Sequence, residues 1–325
     1  MHDNKMKSFQ ERVLFIFGCG LIITFFSEFF FFNEGPVEEL NAGIREPHLL
    51  APKLLELGIW YLLTIAPAIL LMAYFRTSNI WSIFLAGAFA GYCIEGLVVP
   101  PLYLELPISI IWTSASWHPI VDIIFGLWIW QKWLRERGIL FNLCICTIMG
   151  MVWALWSTWP VGFPSEVTEE IVGFTDMAEY AGFLFASTTV LFIGNLLTTF
   201  RASKTFIPAH IDFIVFGITS LCLFIAMAIM VSFLAILLPI LLFLCYLPLR
   251  YGKKQDDEQT IIALFETAPS YLNQATVWAM PVSALCTYWI LQQQNWHLEA
   301  WVLGSFIMIA GVVFAILAPI KLLRR

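Results

Sequence analysis

The chain has 325 residues, of which 60% are hydrophobic and only 12% charged. A water-soluble domain runs near 45–50% apolar and about 25% charged, so this composition excludes a single soluble core and requires a lipid solvent. The net charge of −6 excludes no class by itself; the placement of the charges along the chain is what informs.

A short polar, partly basic stretch leads into the apolar run "VLFIFGCGLIITFFSEFFFF", residues 13–32. Crossing a bilayer as an α-helix takes about 20 apolar residues, and no A-x-A cleavage site follows. The run is therefore predicted to be a transmembrane helix that stays on the protein. Further spans are predicted at 54–75, 80–99, 116–134, 139–159, 177–199, 208–227, 230–249, 270–291 and 299–320. The stretch 208–249 is too long for one crossing and needs a tight turn, placed near Met227–Met230. Segments 33–53 and 160–176 read as outer loops and 250–268 as a cytoplasmic loop. The Pro-rich piece "PPLYLELPISIIWTSA", residues 100–115, is too short to cross and reads as a rim or re-entrant segment. The expected fold is all-α, one polytopic membrane bundle of about ten transmembrane helices.

Charge placement orients this map. Of the 17 Lys and Arg, all but Arg45 and Lys53 fall on the side of the two termini. By the positive-inside rule both termini are expected to be cytoplasmic. Trp112, Trp117, Trp156, Trp159, Trp289, Trp296 and Trp301 sit at predicted outer ends, and Trp81, Trp128, Trp130 and Trp133 at inner ends. They read as the aromatic belts of a membrane protein. The seven cysteines are scattered through apolar segments without a CxxC, so they read as small core residues.

Acids gather on the side opposite the basic residues, which the positive-inside rule does not require. Six polar groups lie within apolar runs: Glu28, Glu56, Glu95, His118, Asp122 and Glu179. At about 1.5 Å per residue, Glu28 and Glu95 come about 6 Å below the outer edge and Asp122 about 9 Å. Glu56, His118 and Glu179 come about 3 Å below it. Glu56 and Glu179 read as interfacial side chains reaching water. Glu28, Glu95 and Asp122 have short side chains that do not snorkel, so a protein interior or a wet pocket suits them better.

Two local patterns sharpen this. Gly87, Gly91 and Glu95 in "GAFAGYCIEG" share one helical stripe, and small residues let another helix approach. In "SASWHPIVD", residues 114–122, Ser116 reads as an N-cap and Pro119 falls in the first turn. His118 and Asp122 then share a face at i, i+4. A carboxylate behind an imidazole fixes its tautomer and raises its basicity, which equally suits a general base, a metal-bound His or a structural helix end.

The site expected from these patterns consists of Glu28, Glu95, His118 and Asp122. The function expected is a membrane-embedded enzyme, hydrolase- or protease-like, acting on a lipid or peptide at the outer interface of the inner (plasma) membrane. One His among carboxylates is compatible with a hard divalent cation more than with zinc. The first alternative is a secondary transporter of a small solute or cation. Against it, transporter sites lie near the midplane, where this chain offers only Thr64, Ser187, Thr188, Thr189, Thr219, Ser220 and Ser305, with Pro67 and Pro281 as kinks, while His210 and Asp212 sit alone at the other end. The second alternative is a non-catalytic assembly subunit that docks a partner through 33–53 or 160–176. No P-loop or GxGxxG is present, so neither nucleotide nor nucleic acid is an expected partner.

Overall fold

The computed structural model describes residues 5–6, 8–104, 106–158, 174, 176–200, 202, 204–252, 259–296, 298 and 300–324, with 34, 300 and 301 described for the backbone alone. Every named element among them is helical, and one isolated bridge joins Lys5 to Thr205. The outer segment 160–176, with Glu166, Glu169 and Glu170, lies almost wholly outside the described residues, as do Glu105, Glu299, Trp159 and Arg201.

Helix α1 (Phe9–Thr24) opens on Ser8, whose hydroxyl accepts from the Glu11 amide, and widens into a π-helical turn, Phe25–Phe30. Helix α2 (Glu34–Arg45) and α3 (Pro47–Phe75) follow with one residue between them. The connection 33–53 is therefore helical and not a loop. Its charges hide an amphipathic period: Val37 and Leu40 are buried while Glu38 and Glu39 face out. Pro47 stands at the start of α3, where a missing N–H costs nothing. Helix α4 (Ile80–Leu97) is capped by Asn79, which accepts from the Trp81 and Ser82 amides.

Residues 100–104 and 106–116 form a folded strap of α5 (Pro101–Leu104), a 3-10 turn (Ile108–Ile110) and further turns. It is tied to α4 by Tyr103 OH donating to the Gly96 carbonyl at 2.9 Å and Tyr92 OH donating to that of Ile110 at 3.1 Å. The strap runs helically into a π-helix, His118–Trp130, continued by α6 (Gln131–Glu136). Ser116 therefore does not cap a helix. Trp117 before the π-helix is already helical, and the buried Ser116 hydroxyl has no bond partner. Helices α7 (Ile139–Trp156) and α8 (Met177–Thr199) follow the predicted spans closely.

The long apolar stretch is α9 (His210–Val231), a 3-10 turn (Ser232–Ile236) and α10 (Leu237–Tyr251). The break comes a few residues beyond Met227–Met230, at Ser232, which takes a positive φ of 57°. The chain reverses there. Phe213 near the start of α9 meets Tyr74, Tyr246 near the end of α10 meets Phe75, and these two rings are neighbours on α3. The predicted span 270–291 is α11 (Tyr271–Ala275), a 3-10 turn (Thr276–Trp278) and α12 (Ala279–Gln293); α13 (Ala300–Leu323) ends the chain.

Helix α1 lies at the centre, between α3 and α8, with Ile16, Cys19, Ile22 and Ile23 fully buried. Helix α4 packs on α3, α10, α13 and the π-helix. By contrast Ile214, Ile218, Leu221 and Ile225 on α9, and Phe306, Ile309, Val313 and Ile316 on α13, are exposed. Exposed apolar stripes at helical spacing need lipid against them. Among the described residues, seven helical stretches are long and apolar enough to cross a membrane, and the chain is a multi-pass membrane protein.

Two sequence readings need correction here. Trp117, Trp130 and Trp156 are buried in the bundle, so they are not belt residues. Of the cysteines, Cys19, Cys93, Cys146 and Cys245 are buried, but Cys144, Cys222 and Cys286 are exposed; all seven are free thiols.

Candidate active site

The π-turn of α1 carries Ser27 and Glu28, α3 carries Tyr61, α4 carries Glu95, and the second π-helix carries His118 and Asp122. Both π segments are sequence stretches rich in bulky apolar residues, and π turns occur frequently at functional sites. The first is held by three indoles. Trp117 Nε1 donates to the Phe26 carbonyl at 3.2 Å, Trp153 Nε1 to that of Phe29 at 2.9 Å, and Trp156 Nε1 to that of Phe31. These bonds satisfy carbonyls in and beside a turn whose register departs from the α ladder, and they fix the direction of Ser27 and Glu28.

The stripe of small residues on α4 sets the second π-helix against it. A Cβ on Gly87 would lie 2.7 Å from Pro119 Cα, so only glycine permits this approach. The approach brings Glu95 to His118. Their Oε1 and Nε2 atoms are 3.0 Å apart, and His118 Nδ1 lies 2.7 Å from Asp122 Oδ2. Thr113 donates its hydroxyl to the same Glu95 oxygen. Exposure is graded along this chain: the side chain of Glu95 is 12% exposed, His118 4% and Asp122 0%. Glu95 and His118 line a cavity of about 670 Å³, and Asp122 stands behind them.

A second hydrogen-bonded set lines the same cavity. The Tyr61 hydroxyl touches both Ser27 Oγ (2.6 Å) and Glu28 Oε1. Having one proton, it donates to the carboxylate and accepts from Ser27. Asn33 Nδ2 donates to Glu28 Oε2 at 2.6 Å. Ser27 Oγ is 3.4 Å from His118 Nδ1, so it joins the two sets. Glu28, Glu95, His118 and Asp122 thus belong to one buried network from three segments of the chain.

Glu56 and Glu179 do not enter it. Glu56 is exposed on α3, and Glu179 is bound by Arg45. Nor does Asp212 sit alone: Arg12 grips it through two bonds of 2.6 and 3.0 Å at the opposite end of α1. Ser27, Asn33, Tyr61 and Thr113 were not anticipated from sequence. Only Tyr61 left a signal there, a phenol inside an apolar run, which requires a polar partner when buried.

Among the described residues no group of three or more His, Cys, Asp and Glu is disposed to hold a metal ion. Both ring nitrogens of His118 already face carboxylates, so a cation would have to displace one of them. The arrangement suits proton transfer directly. His118 Nε2 and Glu95 Oε1 are within hydrogen-bond distance, so a proton can pass between imidazole and carboxylate while Asp122 orients the ring through Nδ1.

No known protein family, curated protein or solved structure matches this chain.

Proposed function

We propose that this protein is a membrane-embedded hydrolase that cleaves a lipid or peptide bond at the outer face of the inner (plasma) membrane, with ten transmembrane helices and both termini cytoplasmic. The single observation that carries the reading is the 3.0 Å contact between Glu95 and His118, backed by Asp122 at 2.7 Å and open to a cavity of substrate size. The topology is supported by the π-helix His118–Trp130 with α6, the reversal at Ser232–Ile236 and the α11–α12 segment, which complete the seven long stretches. It is supported too by basic residues such as Arg12, Arg76, Arg135 and Arg250 at the end away from Glu95.

In this reading Glu95 takes a proton from a cavity water as its oxygen attacks the carbonyl carbon of the substrate. Asp122 holds His118 in one orientation, and His118 passes the proton between itself and Glu95. Asn33 lines the cavity and has an N–H beyond the one given to Glu28, so it is placed to stabilise the developing oxyanion. As the carbon–oxygen or carbon–nitrogen bond breaks, the proton held by the relay goes to the leaving group. Glu28, held by Tyr61 and Asn33, lines the cavity as its second carboxyl group.

A carrier would need the cavity to continue through the bundle. Of the midplane hydroxyls, Ser187, Thr189 and Thr219 bond to carbonyls of their own helices at 2.5, 2.7 and 2.9 Å, Thr188 and Ser220 have no bond partner, and of these only Thr64 lines the cavity. The test is turnover of a panel of ester- and amide-linked amphiphiles by the protein in nanodiscs, in water enriched in oxygen-18. Incorporation of the isotope into the acid product, lost in His118→Ala and Glu95→Gln, supports the reading. No turnover together with His118-dependent uptake into proteoliposomes would replace it with a carrier.

A further inference from the structure

The cavity changes character along its length. Its floor, at Glu28, Tyr61 and His118, is polar and buried. Its rim is apolar and exposed: Trp60 on α3 is 37% exposed and Leu104 on α5 70%, with Val99 exposed between α4 and α5. The strap continues this apolar edge with exposed Leu106 and Ile108. In a bundle whose exposed apolar faces meet lipid, such a rim is a sideways opening to the bilayer between α3 and the strap. A different edge of the same cavity is lined by the exposed Asn33 and by Gly35 and Pro36, next to the acids of α2, and gives access to water.

The walls continue from rim to floor along two helices. Leu57, Tyr61 and Thr64 lie on one stripe of α3, about 10 Å long at 1.5 Å per residue, and the cavity is closed on the α4 side by Ile94 and Val98. An apolar groove that joins lipid to a wet, polar floor fits an amphiphile with its tail toward the bilayer.

The charge of the lining selects the head. Glu28, Glu95 and His118 line the cavity with Asp122 behind them, so three carboxyl groups stand against one imidazole, and among the described residues no Lys or Arg lines it. Lys53 is held by Glu39 and Arg45 by Glu179. Phe31, Trp112 and Trp117 form an aromatic wall, with the Phe31 ring 6.1 and 4.3 Å from the other two, and Trp60 and Tyr61 add rings from α3. Ring faces beside carboxylates favour an ammonium group. An anionic head would face two glutamates with no lysine or arginine against it.

We infer that the cavity takes a bilayer-borne amphiphile with a cationic ammonium head, its alkyl chain lying along Leu57, Ile94 and Val98 and leaving past Trp60 and Leu104. The inference rests on reading this cavity as the reaction site, and names the class of substrate that site accepts.

The test uses alkyl probes of equal length with a photoreactive diazirine in the chain and a trimethylammonium, hydroxyl or carboxylate head. They are added to the full chain in neutral-lipid nanodiscs, and adducts are mapped by mass spectrometry. The ammonium probe is expected to label 57–64 and 94–104 about tenfold more than the carboxylate probe. Glu28→Gln with Glu95→Gln should erase that preference and leave the hydroxyl probe's labelling in place, while Val98→Trp should exclude both. Competition in the wild-type protein by an unlabelled alkyltrimethylammonium, and not by an alkyl carboxylate, reads the same preference without any substitution. Asp122→Asn separates the two readings, because Asp122 stands behind the lining: it lowers hydrolysis about 100-fold and retains labelling. Labelling without hydrolysis in the wild type would overturn the hydrolase and leave this inference standing. Equal labelling by the carboxylate probe, or adducts spread over α9 and α13 with none at 57–64, would overturn this inference.

Discussion

Gly91 and His118 stand so close that a Cβ on the glycine would lie 2.9 Å from His118 Cβ, and 2.1 Å from the Ser114 carbonyl oxygen. The second contact is with backbone, which has no rotamer to yield. Gly91→Ala is therefore expected to push the 114–118 segment off α4, separate His118 from Glu95, and abolish turnover in protein that still inserts. Gly217→Ala, where an added Cβ meets nothing within 4 Å, is the control. Turnover near wild type in Gly91→Ala would show that the close approach is not required.

Asp122 acts through His118, and a double-mutant cycle should show it. Asp122→Asn keeps an acceptor for Nδ1 but removes the charge, with an expected loss of about 100-fold in turnover. His118→Ala should cost more, and the double variant no more than His118→Ala alone. Additive losses would place the two residues in separate roles.

The indole clamp on the first π turn makes a prediction about a donor and not about bulk. Trp153→Phe keeps a ring among Phe25, Phe30 and Phe183 but leaves the Phe29 carbonyl without its bond. We expect a loss of about 1–3 kcal/mol in stability and a larger loss of turnover than thermal unfolding in detergent explains. A Phe variant with wild-type turnover would mean the π turn holds without the clamp.

At the other end of α1, Arg12 and Asp212 are buried together, 4% and 0% exposed. Asp212→Asn takes the carboxylate charge from a buried two-bond pair, so it is expected to lower stability by about 3 kcal/mol. Turnover per folded molecule should not change, because the pair is far along α1 from Ser27. Thermal unfolding alongside active-site titration separates the two quantities.

Topology is testable in a cysteine-free background. Asn33→Cys should react with an impermeant thiol reagent added outside intact cells, and Arg76→Cys only after permeabilisation. Both positions are exposed. The reverse pattern would invert the orientation.

What sequence made legible was local. Glu95 shares a stripe with Gly87 and Gly91 because four-residue spacing repeats on one helix face, and His118 with Asp122 follows the same rule even where the winding is π. Ser27, Asn33 and Thr113 carried no such mark, since their partners come from elements whose packing no local period encodes. Helix α2 was hidden by its charges, and the reversal, required by length and placed near Met227–Met230, was misplaced by a few residues because the turn at Ser232 holds no Gly or Pro. First-turn prolines held unused information: Pro47 and Pro239 stand in the first turns of α3 and α10. The inward Trp117 and Trp156 read as belt residues because an indole at a helix end looks the same in sequence whether its N–H meets water or a carbonyl.

The three indoles that clamp Phe26, Phe29 and Phe31 come from positions roughly a hundred residues downstream of the turn they hold. The turn is thus inherited as a long-range agreement and not as a motif. In a diverging lineage, drift at Trp117, Trp153 or Trp156 would relax the winding of residues 25–30 and turn Glu28 away while leaving the acid itself in the sequence. Relatives that have abandoned the chemistry should therefore be recognisable by lost tryptophans before lost carboxylates.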